Sequence, residues 1–433
     1  MVHASTARPV LAPAGAFWSA TLLVAAALVV WTQAQPFASL QDYAVLADPT
    51  QSNGWRRFST LAVGFACAAL VWWRGGTGAL AGATGVWLAA VFFWFILAAL
   101  ASPAPGLALN RLALAGTVIA IACCLPLLFD RFGQFLAAYG VAVSIAIALS
   151  FLGVLALPDL AVHTAMDMVE QGLAGDWRGI FKHKNDLGPM GAHFAFFGLL
   201  MMRAGRPVWG GWILVTALVL LVMSGAKSAA LLFLPAVAGA AIIVRVHPQW
   251  LAAATALAVI GGLALTTIGG VLVPGLQALV AAVLPDASFT GRSEVWTLAL
   301  DAIGRAPILG YGYGLFWDTN LTYSVADTGD TAAMMSHAHN GYLETAIGAG
   351  LPGLALVLVW TVVLPLRQIL AIRGRLRSRR EGAFLEFLVA GWLFLLMIAS
   401  FEAVLFNRGD AIWFAGLVSI ACLALWARAP LAD

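Results

Sequence analysis

What most constrains this chain is the recurrence of uncharged apolar runs long enough to cross a lipid bilayer. Windows of roughly 17–25 apolar residues span a hydrocarbon core as helices. Such windows fall at 17–33, 58–74, 79–101, 110–129, 135–157, 187–203, 207–223, 228–245, 249–270, 341–366, 384–402 and 410–427. Only 10% of the 433 residues are charged and 62% are hydrophobic, against about a quarter charged in a soluble domain. No water-soluble core hides that much apolar surface, so lipid must be the solvent, where helices satisfy their own backbone. The expected fold is all-α: a polytopic membrane protein of about twelve transmembrane helices, with residues 1–433 as a single integral membrane domain. The run from Phe17 to Trp31 is signal-like. It ends at Thr32-Gln33-Ala34-Gln35-Pro36 without a clean small-x-small site, and it reads as a retained first span.

Several function classes drop out. There is no Gly-rich phosphate loop ending in Lys-Ser/Thr, no heptad array and no nucleic-acid module, so nucleic acid is not an expected partner. Cys67, Cys123, Cys124 and Cys422 sit inside apolar runs without CxxC spacing. They read as small buried hydrophobes rather than a disulfide framework.

Orientation follows from arginine in the short loops. The segment Arg367 to Arg380 holds Arg367, Arg373, Arg375, Arg377, Arg379 and Arg380 and is expected to be cytoplasmic. Counting back puts Arg74, Arg131, Arg203, Arg206 and Arg245 on the same side, with both termini. Lys182, Lys184, Lys227, Arg178, Arg292 and Arg305 then fall outside, against the bias, and an anionic ligand is the simplest thing to hold them there. Two outer segments are long, 158–186 and 271–340. The first carries "FKHKNDLG". The second carries "GRSEVWTLALDAIGRAP", an amphipathic helix closed by Pro307, and "GYGYGLFWDTNLTYS". Tyr311, Tyr313, Tyr323 and Tyr342 lie in or beside it, suited either to an interfacial belt or to stacking on sugar rings.

The residues able to do chemistry gather in "AHNGYLETAIGAGLPG", Ala338 to Gly353. His339 and Asn340 stand where the long outer segment feeds into a span. Histidine is the side chain best suited to take up a proton near neutral pH. Asn340 and Glu344 are i and i+4 on one helix face. Glu344 is placed either to orient the imidazole or to accept bonds from backbone donors.

His339-Asn340, nine residues, Gly350, two residues and Gly353 resemble the H-N-x9-G-x-x-G pattern of the O-antigen ligase and O-antigen polymerase superfamily. Three more stretches agree in order: "GDWRGIFKHKNDLG", "SGAKSA" with Lys227 where many members have Arg, and "TGRSEVW". The resemblance implies a GT-C-like glycosyltransferase architecture in the bacterial inner membrane, with the active site facing the periplasm. It implies a metal-independent, inverting transfer with no cofactor. The donor would be a glycan on undecaprenyl pyrophosphate. The acceptor would be the hydroxyl of another lipid-linked repeat unit, or lipid A–core. A chain-length regulator is an expected partner. It further implies His339 as the base and Arg178, Lys184, Lys227 and Arg292 as pyrophosphate ligands, with His183, Asn185, Asn340 and Glu344 in support. Lys182 would be a solvated neighbour. The "HKN" triplet and the Lys of "SGAKSA" resemble the branch that produces exopolysaccharide, which favours a polymerase over a ligase.

Two other readings compete. A zinc site needs three or four close ligands, and His183, His193, His337 and His339 have no outer cysteine to join them. A lipid-linked oligosaccharide transporter would show related halves and charge near the midplane. Here the charge gathers at one end and no internal repeat is visible.

Overall fold

The computed structural model describes residues 13–40, 53–167, 171–283, 292–317, 321–322 and 335–429. Thr290, Gly291 and Tyr323 lie outside the described residues. The longer helices are α1 Pro13–Trp31, α2 Gly54–Trp73, α3 Thr77–Leu100, α4 Pro105–Cys124, α5 Phe132–Ala156, α6 Lys184–Arg203, α7 Pro207–Met223 and α8 Lys227–Arg245. They continue as α9 Gln249–Leu272, α10 Pro274–Val283, α11 Arg292–Arg305, α12 Gly341–Arg373, α13 Arg379–Ile398 and α14 Ala411–Arg428. Among the described residues there is no strand, only an isolated antiparallel bridge between Val162 and Trp177.

Each apolar window of the sequence contains a helix. Seven of the described helices are long and apolar enough to cross a membrane, and Gly15–Trp31, Gly85–Leu100 and Pro207–Met223 are shorter apolar ones. The protein is an all-α, multi-pass membrane protein. Some ends differ from the expected windows. α12 runs on to Arg373, whose guanidinium donates to Val246 O. α13 begins at Arg379, where the Ser378 hydroxyl caps it by accepting from Glu381 N at 3.2 Å, and it ends at Ile398 rather than 402.

The chain packs as two compact units. One comprises Met1–Gly85, Gly116–Gly225 and Leu417–Asp433. Its tightest element is the α6–α7 hairpin. A Cβ built on Gly198 would stand 2.7 Å from Leu214 N, and one on Gly210 would stand 2.5 Å from Met202 N. The two backbones therefore touch, as small residues allow between helices in lipid. α6 is buried on every face from Leu187 to Gly198, so His193 needs an internal partner, and the Tyr139 hydroxyl lies 2.7 Å from its Nε2. All four cysteines are buried and free, as expected.

The other unit comprises Val86–Ala115 and Ala226–Gly416. α11 is amphipathic: Glu294, Thr297, Asp301 and Arg305 are exposed, while Val295, Trp296, Ala299, Ala302 and Ile303 are buried. That 3.6-residue period seats the helix on Ala338, Leu343, Ala346 and Ile347. α12 is broken at Gly350, whose φ is 69° and ψ 179°. The break frees backbone groups that the Pro307–Tyr311 segment takes up. Tyr311 N donates to Ile347 O and Leu351 N to Pro307 O, each at 2.8 Å. Trp94 Nε1 donates to Ala349 O at 2.8 Å.

Candidate active site

His339 sits at the start of α12 with φ at +48°, a left-handed conformation that costs a non-glycine residue about 1 kcal/mol. The turn is held by its neighbours. Asn340 is fully buried and extended, and its Oδ1 accepts from Tyr342 N at 3.0 Å and Leu343 N at 3.1 Å. This is an Asn N-cap, satisfying two of the orphan amides of the first turn. Its Nδ2 donates to Ser400 O at 3.1 Å, and Gly341 N donates to Ala399 O at 2.7 Å. The motif is thereby stitched to the turn that follows α13.

That turn supplies Glu402. Its Oε1 accepts from Arg292 Nη2 at 2.7 Å, and its Oε2 lies 3.6 Å from His339 Nδ1, ion-pair range but longer than a hydrogen bond. Arg292 is the first residue of α11. His337 stacks beside His339 with ring centroids 4.0 Å apart, and its Nδ1 accepts from His339 N at 3.2 Å. The result is a carboxylate between a cation and an imidazole, each less than about a quarter exposed at its side chain. With Nδ1–H turned to the carboxylate, Nε2 is the acceptor nitrogen of the neutral ring.

Burial alone would raise the Glu402 carboxyl, but the His339 imidazole and the Arg292 guanidinium outweigh it and hold it below the usual carboxylate range. A glutamate titrates near 4.3 when unfolded. The pairing therefore contributes its full stability above about pH 4.3 and loses it as pH falls through the lower folded value. Glu402→Gln removes one partner of a largely buried pair and should destabilise by about 3 kcal/mol at neutral pH. The gap in thermal unfolding midpoint between wild type and Glu402→Gln should be constant near neutrality and close in acid. A gap that widened on acidification would reverse the sign of the interaction.

The first unit holds a separate polar cluster. The "GDWRG" and "SGAK" stretches meet there. Trp177 N donates to Met223 O at 2.9 Å, and a Cβ on Gly225 would lie 2.5 Å from an oxygen of Asp176. Asp176 Oδ2 accepts from Lys184 Nζ at 2.7 Å. Arg178 is fully buried. It donates to Ala38 O at 2.8 Å and more weakly to Lys182 O at 3.4 Å, and burial lowers its pKa. The first turn of α6 is closed by imidazoles. Asn185 N donates to His183 Nδ1 at 3.1 Å and Lys184 N to His163 Nε2 at 3.2 Å. His163 Nδ1 stands 2.8 Å from Asp167. Its accepting Nε2 fixes the proton on Nδ1, consistent with burial lowering its pKa while His163 and Thr164 hold Asp167 low despite burial.

Of the residues singled out in sequence, the structure brings Arg292 and His339 together through Glu402. Lys184, His183 and Asn185 gather at the start of α6 with Arg178 behind them. Lys227 is exposed at the first position of α8, and Lys182 is exposed. Glu344 takes the second of its two expected roles. Its Oε2 accepts from Ala338 N at 3.0 Å and Trp317 Nε1 at 2.8 Å. The Tyr311, Tyr313 and Tyr342 hydroxyls bond to backbone carbonyls of Ala302, Phe406 and Leu396; Tyr313 and Tyr342 are buried and Tyr311 is half-buried. Sequence reasoning missed Glu402, Asp176 and the His163–Asp167 pair. An H-x3-D spacing inside an outer segment was the available signal for the last.

Residues 212–358, about a third of the chain, match the family model described as O-Antigen ligase, Wzy_C. The matched region contains Lys227, Arg292, His339, Asn340, Glu344, Gly350 and Gly353, while Arg178, Lys184 and Glu402 lie outside it. The exopolysaccharide production protein ExoQ of Rhizobium meliloti (strain 1021) is 28% identical over 196 residues. That alignment covers 41% of this chain and 43% of ExoQ, less than half of each.

Proposed function

We propose that this protein is a glycosyltransferase that polymerises lipid-linked glycan repeat units at the periplasmic face of a bacterial inner membrane. The observation that carries the reading is the His339–Glu402–Arg292 cluster, built around the His-Asn pair that resembles the family's motif. His339 Nε2 takes the proton from an acceptor hydroxyl. The acceptor oxygen then attacks the anomeric carbon of the donor sugar from the face opposite the undecaprenyl pyrophosphate. The bond from that carbon to the pyrophosphate oxygen breaks, and the electron pair leaves with the pyrophosphate. Fixed cations of the same unit stabilise that charge: Arg292 directly and Lys227 as a point charge. Glu402 is a positioning residue that keeps the imidazole aimed and favours its protonated state after the transfer. Asn340 and Glu344 fix the backbone around these groups. The similarity to ExoQ favours the polymerase. A ligase that delivers the glycan to lipid A–core is the second reading, favoured by the description of the matched family.

The deciding experiment is turnover of an undecaprenyl-pyrophosphate-linked oligosaccharide by the purified full chain. Laddered lipid-linked products are expected. Transfer to lipid A–core alone would establish the ligase, and no transfer to either acceptor would remove the enzyme reading. The proposed orientation has its own check. A periplasm-only reporter fused after Arg377 should stay silent, and a signal there would invert the topology.

A further inference from the structure

A second basic site stands in the unit that carries His339, apart from the cations used above. The loop between α13 and α14 leaves Glu402 and returns to the "GYGYG" turn. There the Tyr313 hydroxyl donates to Phe406 O, and Phe406 stacks on Phe95 with centroids 4.8 Å apart. Two residues after Phe406, the half-buried Arg408 brings Nη1 to 3.8 Å from the place where a Cβ on Gly314 would be. Arg111, which is 5% exposed, reaches the same place from α4, with Nη1 at 3.6 Å, and donates to Gly314 O. The two guanidinium groups therefore converge on one glycine from two elements.

Both carboxylates of that loop have partners elsewhere. Glu402 is engaged by Arg292 and His339, and Asp410 Oδ1 accepts from Trp413 N at 2.7 Å to cap α14. Arg408 makes no hydrogen bond or ion pair among the described residues. Two like charges held close at the edge of an aromatic wall, one without a partner, raise the local positive potential. A guanidinium fork matches phosphate geometry better than any other side chain. Gly314 leaves the space between them free of a side chain. The loop joins two apolar helices, the level at which lipid phosphates lie.

We propose that Arg408, with Arg111, binds a phosphate group carried on a lipid. Two sources share that chemistry: a polyprenyl diphosphate and an anionic phospholipid headgroup. If it is the diphosphate, the site takes the second lipid-linked molecule of the reaction, the acceptor, an assignment that rests on the polymerase reading. The test is binding of radiolabelled short-chain polyprenyl diphosphate, without glycan, to the full chain in phosphatidylcholine nanodiscs. Arg408→Gln should bind one diphosphate fewer per chain, or bind it roughly ten-fold or more weakly. Arg408→Lys should fall between, with unfolding midpoints unchanged as the check on folding. A second arm adds phosphatidylglycerol. Loss of the Arg408-dependent binding there assigns the site to a headgroup, and persistence assigns it to the diphosphate. Arg408→Gln that binds diphosphate like wild type and leaves phosphatidylglycerol association unchanged overturns the proposal. The assay needs no transfer, so it stands or falls separately from the turnover experiment.

Discussion

His339→Ala is expected to lower glycan transfer by about 10²–10⁴-fold, the usual contribution of a positioned general base, while the protein still folds. The expectation rests on where its neighbours place the ring. The imidazole is 21% exposed at its side chain and faces a carboxylate at 3.6 Å, while its backbone is fixed by bonds that do not use the ring. Asn340 caps α12 and reaches Ser400 O, and Gly341 N reaches Ala399 O. Alanine also relieves nothing that holds the turn together, although it gives up the left-handed tolerance that histidine shares with asparagine. The measurement is single-turnover transfer by wild type and variant, with unfolding midpoints run in parallel. If His339→Ala turns over within a few-fold of wild type, the proton goes elsewhere and the cluster has only a binding role. A Glu402→Gln variant refines the result. A positioning residue should shift the acid limb of the pH–rate profile, whereas a purely structural one would lower folded yield and leave the profile of the surviving protein alone.

The largest effect on folding is expected at Gly350. A side chain there would place Cβ 2.0 Å from Ile308 O and 2.8 Å from Pro307 O. Both are backbone atoms of the segment that satisfies the broken helix, so neither can rotate away. The φ and ψ of Gly350, 69° and 179°, lie in a region essentially reserved for glycine, worth about 1–3 kcal/mol before any clash is counted. Gly350→Val should abolish accumulation of folded protein. Gly348→Ala is the matched control. Its Cβ would meet Tyr313 Cα at 3.6 Å, ordinary contact, and alanine has the better helix propensity. Folded yields after detergent extraction should separate the two. Equal yields would mean that the break in α12 is not required.

These two predictions draw on different depths of legibility. The helices were visible in the sequence because lipid imposes a simple rule on composition, and each long apolar run obeys it. Asn340 was read as sharing a helix face with Glu344, whereas it stands just before the helix, extended, as its cap. The amphipathic period of α11 was visible from Glu294, Thr297, Asp301 and Arg305. What the sequence could not display was the end of α13. Between Gly391 and Gly409 there is neither glycine nor proline, so nothing local marks the stop at Ile398. Glu402 was therefore counted inside a span instead of in the turn that meets His339. That stop is tertiary in origin: Ala399 O and Ser400 O are taken by Gly341 and Asn340, far away in sequence. Glu344 illustrates the same limit. Its helix face could be read, but not that Trp317 would occupy its carboxylate. The cations were read from charge bias and motif resemblance, neither of which distinguishes a closed Arg178 from an exposed Lys227.

One carboxylate serving two positive partners sets up a competition. Arg292 holds Oε1 of Glu402 at 2.7 Å, and His339 stands off Oε2 at 3.6 Å. On the proposed reading, an anion that engaged Arg292 would weaken its grip on Glu402 and leave the carboxylate freer to close on the imidazole. Donor arrival and readiness of the base would then be linked through a single side chain. Such a latch would keep the ring idle while the site is empty and prime it only when a leaving group is present to depart.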